Sequence, residues 1–342
     1  MSASSPELQT EPNPDPAVEA TPVETISAVI CTRNRGQRLS LALESLLRQT
    51  GIEPSRAEVI VVDNNSTDDT RQVAESFRSR MPFHYVIVEE PEVGLGNARS
   101  KGLGTAGGDV VAFLDDDAIV SEMWLTAHLA AYSFAEDVGG VMGRILPEWE
   151  AERPEWLDSS LERFLTIVDY GDKPFLLERE DLTPVGANMS FRRAALHEAG
   201  GCDPTFGAQR GGGIPHFQED TDIGLRVRAA GWKLLYWPDA WVRHGVPADR
   251  LSWQWFRQRL IEQGRAECYL DLKRFGWTVV LKRLTLGVCV RGPVLGGAAL
   301  GDYLLGNKAR AARRGSVTFF HLGYTTGFWK LVRRSVRTEV YH

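Results

Sequence analysis

Cysteine is scarce in this chain of 342 residues. Cys31, Cys202, Cys268 and Cys289 lie too far apart for a zinc-ligand pattern or a disulfide framework. That spacing disfavours a structural zinc and fits thiols kept reduced in a cytoplasm. Long apolar runs are also missing: no stretch reaches the roughly 18 uncharged apolar residues that a bilayer-spanning helix needs. Residues 1–24 hold five Pro, five acidic residues and neither Lys nor Arg. With no apolar run of signal-peptide length, they are expected to form a solvated, disordered tail that does not direct secretion. Carboxylates are nearly absent from the other end, where 273–342 sets thirteen Lys and Arg against Asp302 and Glu339. The formal charge of −6 therefore conceals two regions of opposite sign.

What is present is a strong alternation of short apolar strands with amphipathic helices. Strands are expected near 26–31, 57–62, 84–88 and 110–114, with helices marked by Leu39, Leu43, Leu46 and Leu47, by Val73 and Phe77, and by a Gly-rich turn and helix at 94–106. The apolar content of 43% supplies a core. This pattern predicts an α/β fold, with a mostly parallel sheet flanked by helices. Polar residues end three of its strands, at Thr32, Asp63 and Asp115, so one ligand pocket at that sheet edge is implied. Further on come a strand at 138–145, a Trp- and acid-rich stretch to 181 that resists assignment, and a strand-like entry with a helix at 186–201. A glycine-rich loop at 207–215 is expected to close over a ligand, before a helix at 221–230 and a strand at 233–237.

Beyond Pro247 the character changes. Trp253, Trp255, Phe256, Leu260 and Ile261 suggest a helix, followed by apolar stretches broken by Lys282, Arg283 and Arg291. The chain thus divides into an acidic Pro-rich tail (1–24), a catalytic domain (25–247) and a helical basic extension (248–342). The extension fits either a segment lying on an anionic membrane, which would make the protein peripheral on the inner face of the cell membrane, or helices packed on the core with solvated basic faces. Nothing resembling a nucleic-acid motif accompanies the charge, so no nucleic-acid partner is expected.

Chemistry concentrates at Asp115, Asp116 and Asp117, where an apolar strand ends in three carboxylates. Packing them together costs repulsion unless a cation offsets it, so a divalent metal is the expected partner, and oxygen ligands suit Mg²⁺ or Mn²⁺ bridging to phosphate. The plainer alternative is an acidic helix cap without metal. Glu219 and Asp220 follow the glycine loop and precede a helix. They stand there either as pocket carboxylates or as groups favoured by the helix dipole, a role that fits Asp222 better.

Six ordered motifs then stand out: "ISAVICTRNR", "VIVVDNNSTDDT", "VGLGNARSKGL", "DVVAFLDDDA", "VGANMSFRRAAL" and "FQEDTDIGLRVRAAGWKLLYWPDAWVRH". In this order, over about 26–246, the chain resembles glycosyltransferase family 2, the inverting transferases of the GT-A type, Rossmann-like fold. The resemblance implies that the turn of Thr32, Arg33, Asn34 and Arg35, with Asp63 and Asn64, holds the nucleoside. Asn64 stands where the family often has a second Asp, which leaves the base open because an amide donates as well as accepts. Asp63 also fits a turn-capping carboxylate. Asn97 and Arg99 would lie near the donor diphosphate at a helix start, though an Arg there is often an ordinary surface residue. Asp117 would ligate the metal directly and Asp115 directly or through water, with Asp116 facing ribose or donor sugar. His244, which matches a further metal contact in some relatives, is as readily structural. Asp220 would be the general base of a single displacement, with Glu219 the runner-up.

Gly186, Asn188 and Arg192 fall in the acceptor-side segment of the resemblance, while Trp232, Trp237 and Trp241 fit core packing better than sugar stacking. The motif Q-x-x-R-W of processive synthases is missing after Pro247, which favours addition of one sugar. The implied partners are a nucleotide-diphosphate sugar donor and a saccharide or lipid-linked acceptor. A sugar-phosphate nucleotidyltransferase would release pyrophosphate rather than nucleoside diphosphate, and its N-terminal loop is not seen in "CTRNRGQRL". A catalytically silent glycan-binding protein would not need Asp117 and Asp220.

Overall fold

The structure, a computed structural model, describes residues 23–204 and 218–339. The acidic tail up to residue 22 and the expected glycine-rich loop at 207–215 lie outside the described residues. In chain order the elements are β1 (Ile26–Thr32), α1 (Gly36–Leu46), β2 (Ala57–Asp63), α2 (Thr70–Ser76), β3 (His84–Glu89), α3 (Leu95–Thr105), β4 (Val110–Asp115) and β5 (Ala118–Val120). There follow α4 (Trp124–Ala131), β6 (Val138–Trp149), α5 (Ser159–Glu162), β7 (Phe175–Leu176), β8 (Asn188–Arg192), α6 (Arg193–Glu198), α7 (Glu219–Ala229) and β9 (Lys233–Val246). The extension contributes α8 (Trp253–Leu286), a turn of π-helix (Gly287–Arg291), α9 (Gly292–Leu304) and α10 (Lys308–Glu339).

Strands run β3-β2-β1-β4-β8-β6-β9-β5, with β7 added to β9. β3, β2, β1 and β4 are parallel, whereas β8 lies antiparallel between β4 and β6. The parallel half is buried on both faces, which is why its strands read as unbroken apolar runs such as Val59, Ile60, Val61 and Val62. Helix α7 spans Glu219–Ala229 and so starts two residues before the sequence pattern suggests, putting Glu219 and Asp220 in its first turn.

Two elements exceed the sequence reading. β6 continues to Trp149, and β9 runs past Trp237 to Val246. Pro238 hid the second: it cannot donate to a ladder, and the strand accommodates it by a bulge, pairing Gly143 with Trp237 but Arg144 with Trp241. Beyond the bulge, His244 pairs with Ala118 of β5, the residue after the aspartates.

The extension packs on the sheet domain through its first stretch. Phe256, Leu260 and Ala312 bury against Leu157, Leu161, Leu165, Ile167, Val246 and Leu251. Ser252 caps α8 by accepting from the Trp255 N–H, and Gly276 (φ 71°, ψ −173°) bends the helix near its middle. α10 lies along α8, where Gly264 faces the Phe320 carbonyl and Gly323 the Ile261 carbonyl. No described helix is long and apolar enough to cross a membrane.

Candidate active site

Parallel registers set the floor of the site. Thr32 pairs with Asp63 and Cys31 with Asp115, so the ends of β2, β1 and β4 open onto one edge. A cavity of about 890 Å³ forms there, lined by Thr32, Arg33, Asn34, Asn64, Arg99, Asp115, Asp116, Asp117, Glu219, Asp220 and His244. That size suits a small-molecule ligand. Asp63 and Asn97 are not among its lining residues.

Asp115, Asp117 and His244 bring one ligand atom each to within 4.8 Å of the others, and this trio could hold a metal ion. His244 Nε2 stands 3.3 Å from Asp117 Oδ1. That is close to the about 3 Å between neighbouring ligands on an octahedral ion, and equally a hydrogen-bond distance. The donor set of two carboxylates and an imidazole fits a divalent cation, while His244 Nδ1 is buried without a hydrogen-bond partner among the described residues.

Arginines restrain the acids. Arg35 Nη1 contacts Asp116 Oδ1 at 2.9 Å and Asp117 Oδ2 at 3.2 Å, and the Thr32 hydroxyl donates to Asp116 Oδ2 at 2.8 Å. Burial pushes Asp116 up to about 6 against the pull of Arg35. For Asp117 burial also favours the neutral form, but the hydrogen bond and charge of His244, with Arg35 and Arg250, outweigh it and hold this carboxyl well below the usual range. Asp115 is raised by burial, with Arg99 opposing.

Arg99 is 3% exposed and joins the two acidic groups, with Nη1 2.7 Å from Glu219 Oε1 and Nη2 3.5 Å from Asp115 Oδ1. Burial pushes Glu219 up to about 7 despite this partner, and Glu219 Oε2 is buried without a hydrogen-bond partner among the described residues. Asp220 is held by the N–H of Gly186 at 2.9 Å on Oδ2 and by its neighbour Thr221 N–H at 2.7 Å on Oδ1. The carboxylate beside the cleft is thus aimed by backbone donors. Asp222 does not cap α7; it pairs with Arg226 and Lys273.

Several expected residues serve the frame. Asn64 lines the cavity, but its Nδ2 donates to the Glu90 and Glu92 carbonyls and its Oδ1 accepts the Gly94 N–H, so the amide folds the loop before α3. Asp63 accepts from the Ser66 N–H, which is the turn-capping role. Asn97 donates to the Glu92 carbonyl. Asn34, at φ 54°, accepts from the Thr67 N–H and ties the β1 turn to the β2 turn. Asn188 and Arg192 do not face the cavity. Both are buried on β8: Asn188 bridges Trp124, His128 and the carbonyls of Arg144 and Ala240, and Arg192 donates to the Val138 carbonyl.

Residues of α8 complete the wall. Trp255, Gln258, Arg259, Glu262 and Gln263 line the cavity beside Arg163 and Arg250. Burial lowers the Arg259 guanidinium, with Asp220 the main opposing charge. Their spacing of three and four residues, polar within an aromatic helix, is the signal that could have revealed them.

The sequence profile described as glycosyl transferase family 2 matches residues 27–200. The succinoglycan biosynthesis protein ExoM of Rhizobium meliloti (strain 1021) is 30% identical over 271 residues, covering 78% of this chain and 83% of that one. The chain belongs to glycosyltransferase family 2. This family 2 enzyme is also 30% identical to the glucosyl-dolichyl phosphate glucuronosyltransferase of Haloferax volcanii over 252 residues, covering 72% of this chain and 77% of the relative. In fold it is similar to the mannosyltransferase PcManGT of Pyrobaculum calidifontis, solved with GDP-Man and Mn²⁺, at a TM-score of 0.59 and 16% identity over 92% of this chain and 91% of that one. The architecture is that of the GT-A glycosyltransferases, and the chain is a glycosyltransferase.

Proposed function

We propose that this glycosyltransferase moves one sugar from a nucleotide-diphosphate sugar to a hydroxyl of a saccharide or lipid-linked acceptor, with inversion, in polysaccharide or glycolipid biosynthesis. The observation that carries the reading is the sharing of Arg99 between Asp115 and Glu219, which keeps the cation-binding acids and the Glu219-Asp220 pair in one cleft. Donors of this class are supported by the GDP-Man bound to the structural neighbour. Acceptors are supported by relatives that make succinoglycan or act as a glucosyl-dolichyl phosphate glucuronosyltransferase.

Asp115, Asp117 and His244 would hold Mn²⁺ or Mg²⁺, as the Mn²⁺ of the neighbour suggests. When bound, the ion would offset negative charge on the departing diphosphate. Asp220, its carboxylate aimed by the Gly186 and Thr221 N–H groups, takes the proton from the acceptor hydroxyl as that oxygen attacks the anomeric carbon from the face opposite the leaving group. Arg99 holds Glu219 and Asp115 at fixed separation, and α8 screens the cleft through Trp255 and Arg259. Asn64, spent on the loop before α3, shapes the nucleoside end without supporting a preference for one base.

Asp220→Asn is expected to lower transfer by about 10²- to 10⁴-fold while leaving nucleotide and Mn²⁺ binding nearly intact, and unchanged activity would remove the base assignment. Glu219 is the competing base, because its Oε2 has no hydrogen-bond partner among the described residues and burial pushes its pKa up to about 7. If it were the base, kcat/KM would rise through pH about 7 and vanish in Glu219→Gln. With Asp220 as base, that variant keeps measurable transfer. Thermal stabilisation by UDP-, GDP- and dTDP-sugars, with and without Mn²⁺, reads donor class and metal need together, and the anomeric configuration of the product tests inversion.

A further inference from the structure

Helix α9 presents an apolar face to solvent that nothing among the described residues covers. Val294, Gly297, Leu300 and Leu304 recur at spacings of three and four and are exposed, while Gly292 and Asp302 are buried on the opposite side. Leu300, Leu304 and Leu305 are 61%, 75% and 78% exposed, far beyond what leucines in a folded chain ordinarily show. The outward face carries no charged side chain, and at about 20 Å of length α9 is too short to cross the roughly 30 Å apolar layer of a bilayer.

The sequence on either side of this face is basic, while Glu155 of the sheet domain pairs with Lys308 and lies with Asp158 beside Arg310 and Arg313. Lys282 and Arg291 precede the face, Arg310 and Arg313 follow it, and all four are exposed. Asp302 is the single carboxylate in the sequence between Lys273 and Arg333, and it is buried with Arg314 at 2.7 Å. Exposed Tyr303 stands at the end of the helix, where an amphipathic ring meets an interface.

We infer that α9, flanked by these basic residues, lies in the headgroup plane of an anionic lipid bilayer and docks the enzyme there. The apolar face supplies burial and the surrounding cations supply attraction to acidic headgroups, a combination that a second copy of this chain would oppose, because two such basic rims would meet. The docking element is separate from the cleft, so it holds or fails independently of the donor chemistry.

The test is pelleting of the full chain with vesicles of phosphatidylcholine alone or mixed with phosphatidylglycerol, alongside sedimentation of the chain by itself. The expected result is a monomer that binds the mixed vesicles at least about tenfold more tightly, less so as salt rises. Leu300→Asp with Leu304→Asp should weaken that binding at least about tenfold without moving the thermal midpoint, since both side chains already face water. Several results would overturn the inference: no binding to either vesicle, equal binding to both, binding untouched in the variant, or a dimer that this variant dissociates.

Discussion

Single side chains decide how the cleft keeps so many carboxylates. Arg99 is nearly inaccessible and faces acids from β4 and α7, so its removal would leave Glu219 and Asp115 without their main countercharge. Arg99→Met is therefore expected to cost about 3–5 kcal/mol in urea unfolding well above pH 7. The penalty should shrink at lower pH, where Glu219 takes up a proton, and pairing it with Glu219→Gln should recover part of the stability but not the activity. His128 gives a second signature, in a lower pH window. Asn188 donates both amide hydrogens to carbonyls, so its oxygen accepts from His128 Nε2–H, which leaves Nδ1 of the neutral ring to accept from the Ser190 hydroxyl. Burial is the main reason that its pKa falls to about 4. Because the folded value lies below the ordinary 6.5, this stability is complete above 6.5 and is lost as pH falls towards 4, by a few kcal/mol. In His128→Gln that part of the pH dependence of unfolding should disappear. The acids themselves were legible in the sequence, since each directly follows an apolar strand or opens a helix. Their partners were not: Arg99 and Glu219 are 120 positions apart, and no local pattern links them. Asn188 was read towards the acceptor for a similar reason, because only the placement of β8 between β4 and β6 shows that it is enclosed.

Among the elements, β9 and α8 carry most of what the pattern of residues concealed. Pro238 made β9 look finished, yet the bulge absorbs it and delivers His244 to Asp117. The parallel strands were readable because burial on both faces leaves long apolar runs, whereas a strand with a proline inside breaks that regularity. In α8 the aromatic residues announced a helix, but the polar face that walls the cleft became visible only with the sheet edge beside it. The helix approaches α10 closely at Gly264 and Gly323, where any side chain would meet backbone rather than a flexible group. Gly264→Val should thus separate the two helices, destabilising the extension by about 1–3 kcal/mol. Limited proteolysis should cut the extension sooner, and KM should rise because Trp255 and Arg259 are displaced with α8.

At the scale of the molecule, the basic end of the sequence becomes the far hairpin, while the cleft balances Asp115, Asp116, Asp117, Glu219, Asp220 and Glu262 against Arg33, Arg35, Arg99, Arg163, Arg250 and Arg259. A shortened chain ending near Asp249 would lose both the docking face and one wall of the cleft, and would expose the apolar cluster around Phe256. Substitutions confined to α9 are the cleaner comparison: they should reduce transfer to a lipid-embedded acceptor while sparing transfer to a water-soluble one. Activity assayed on both acceptor forms checks this, and an equal loss on both would point to damage in the cleft.

Gly276 lies between those two duties of one helix. Upstream of it α8 forms the doorway to the catalytic chamber, and downstream the same rod heads for its landing gear. On the proposed bilayer, this bend would help set the tilt of the chamber above the headgroups, and with it the distance a sugar acceptor must rise to be reached.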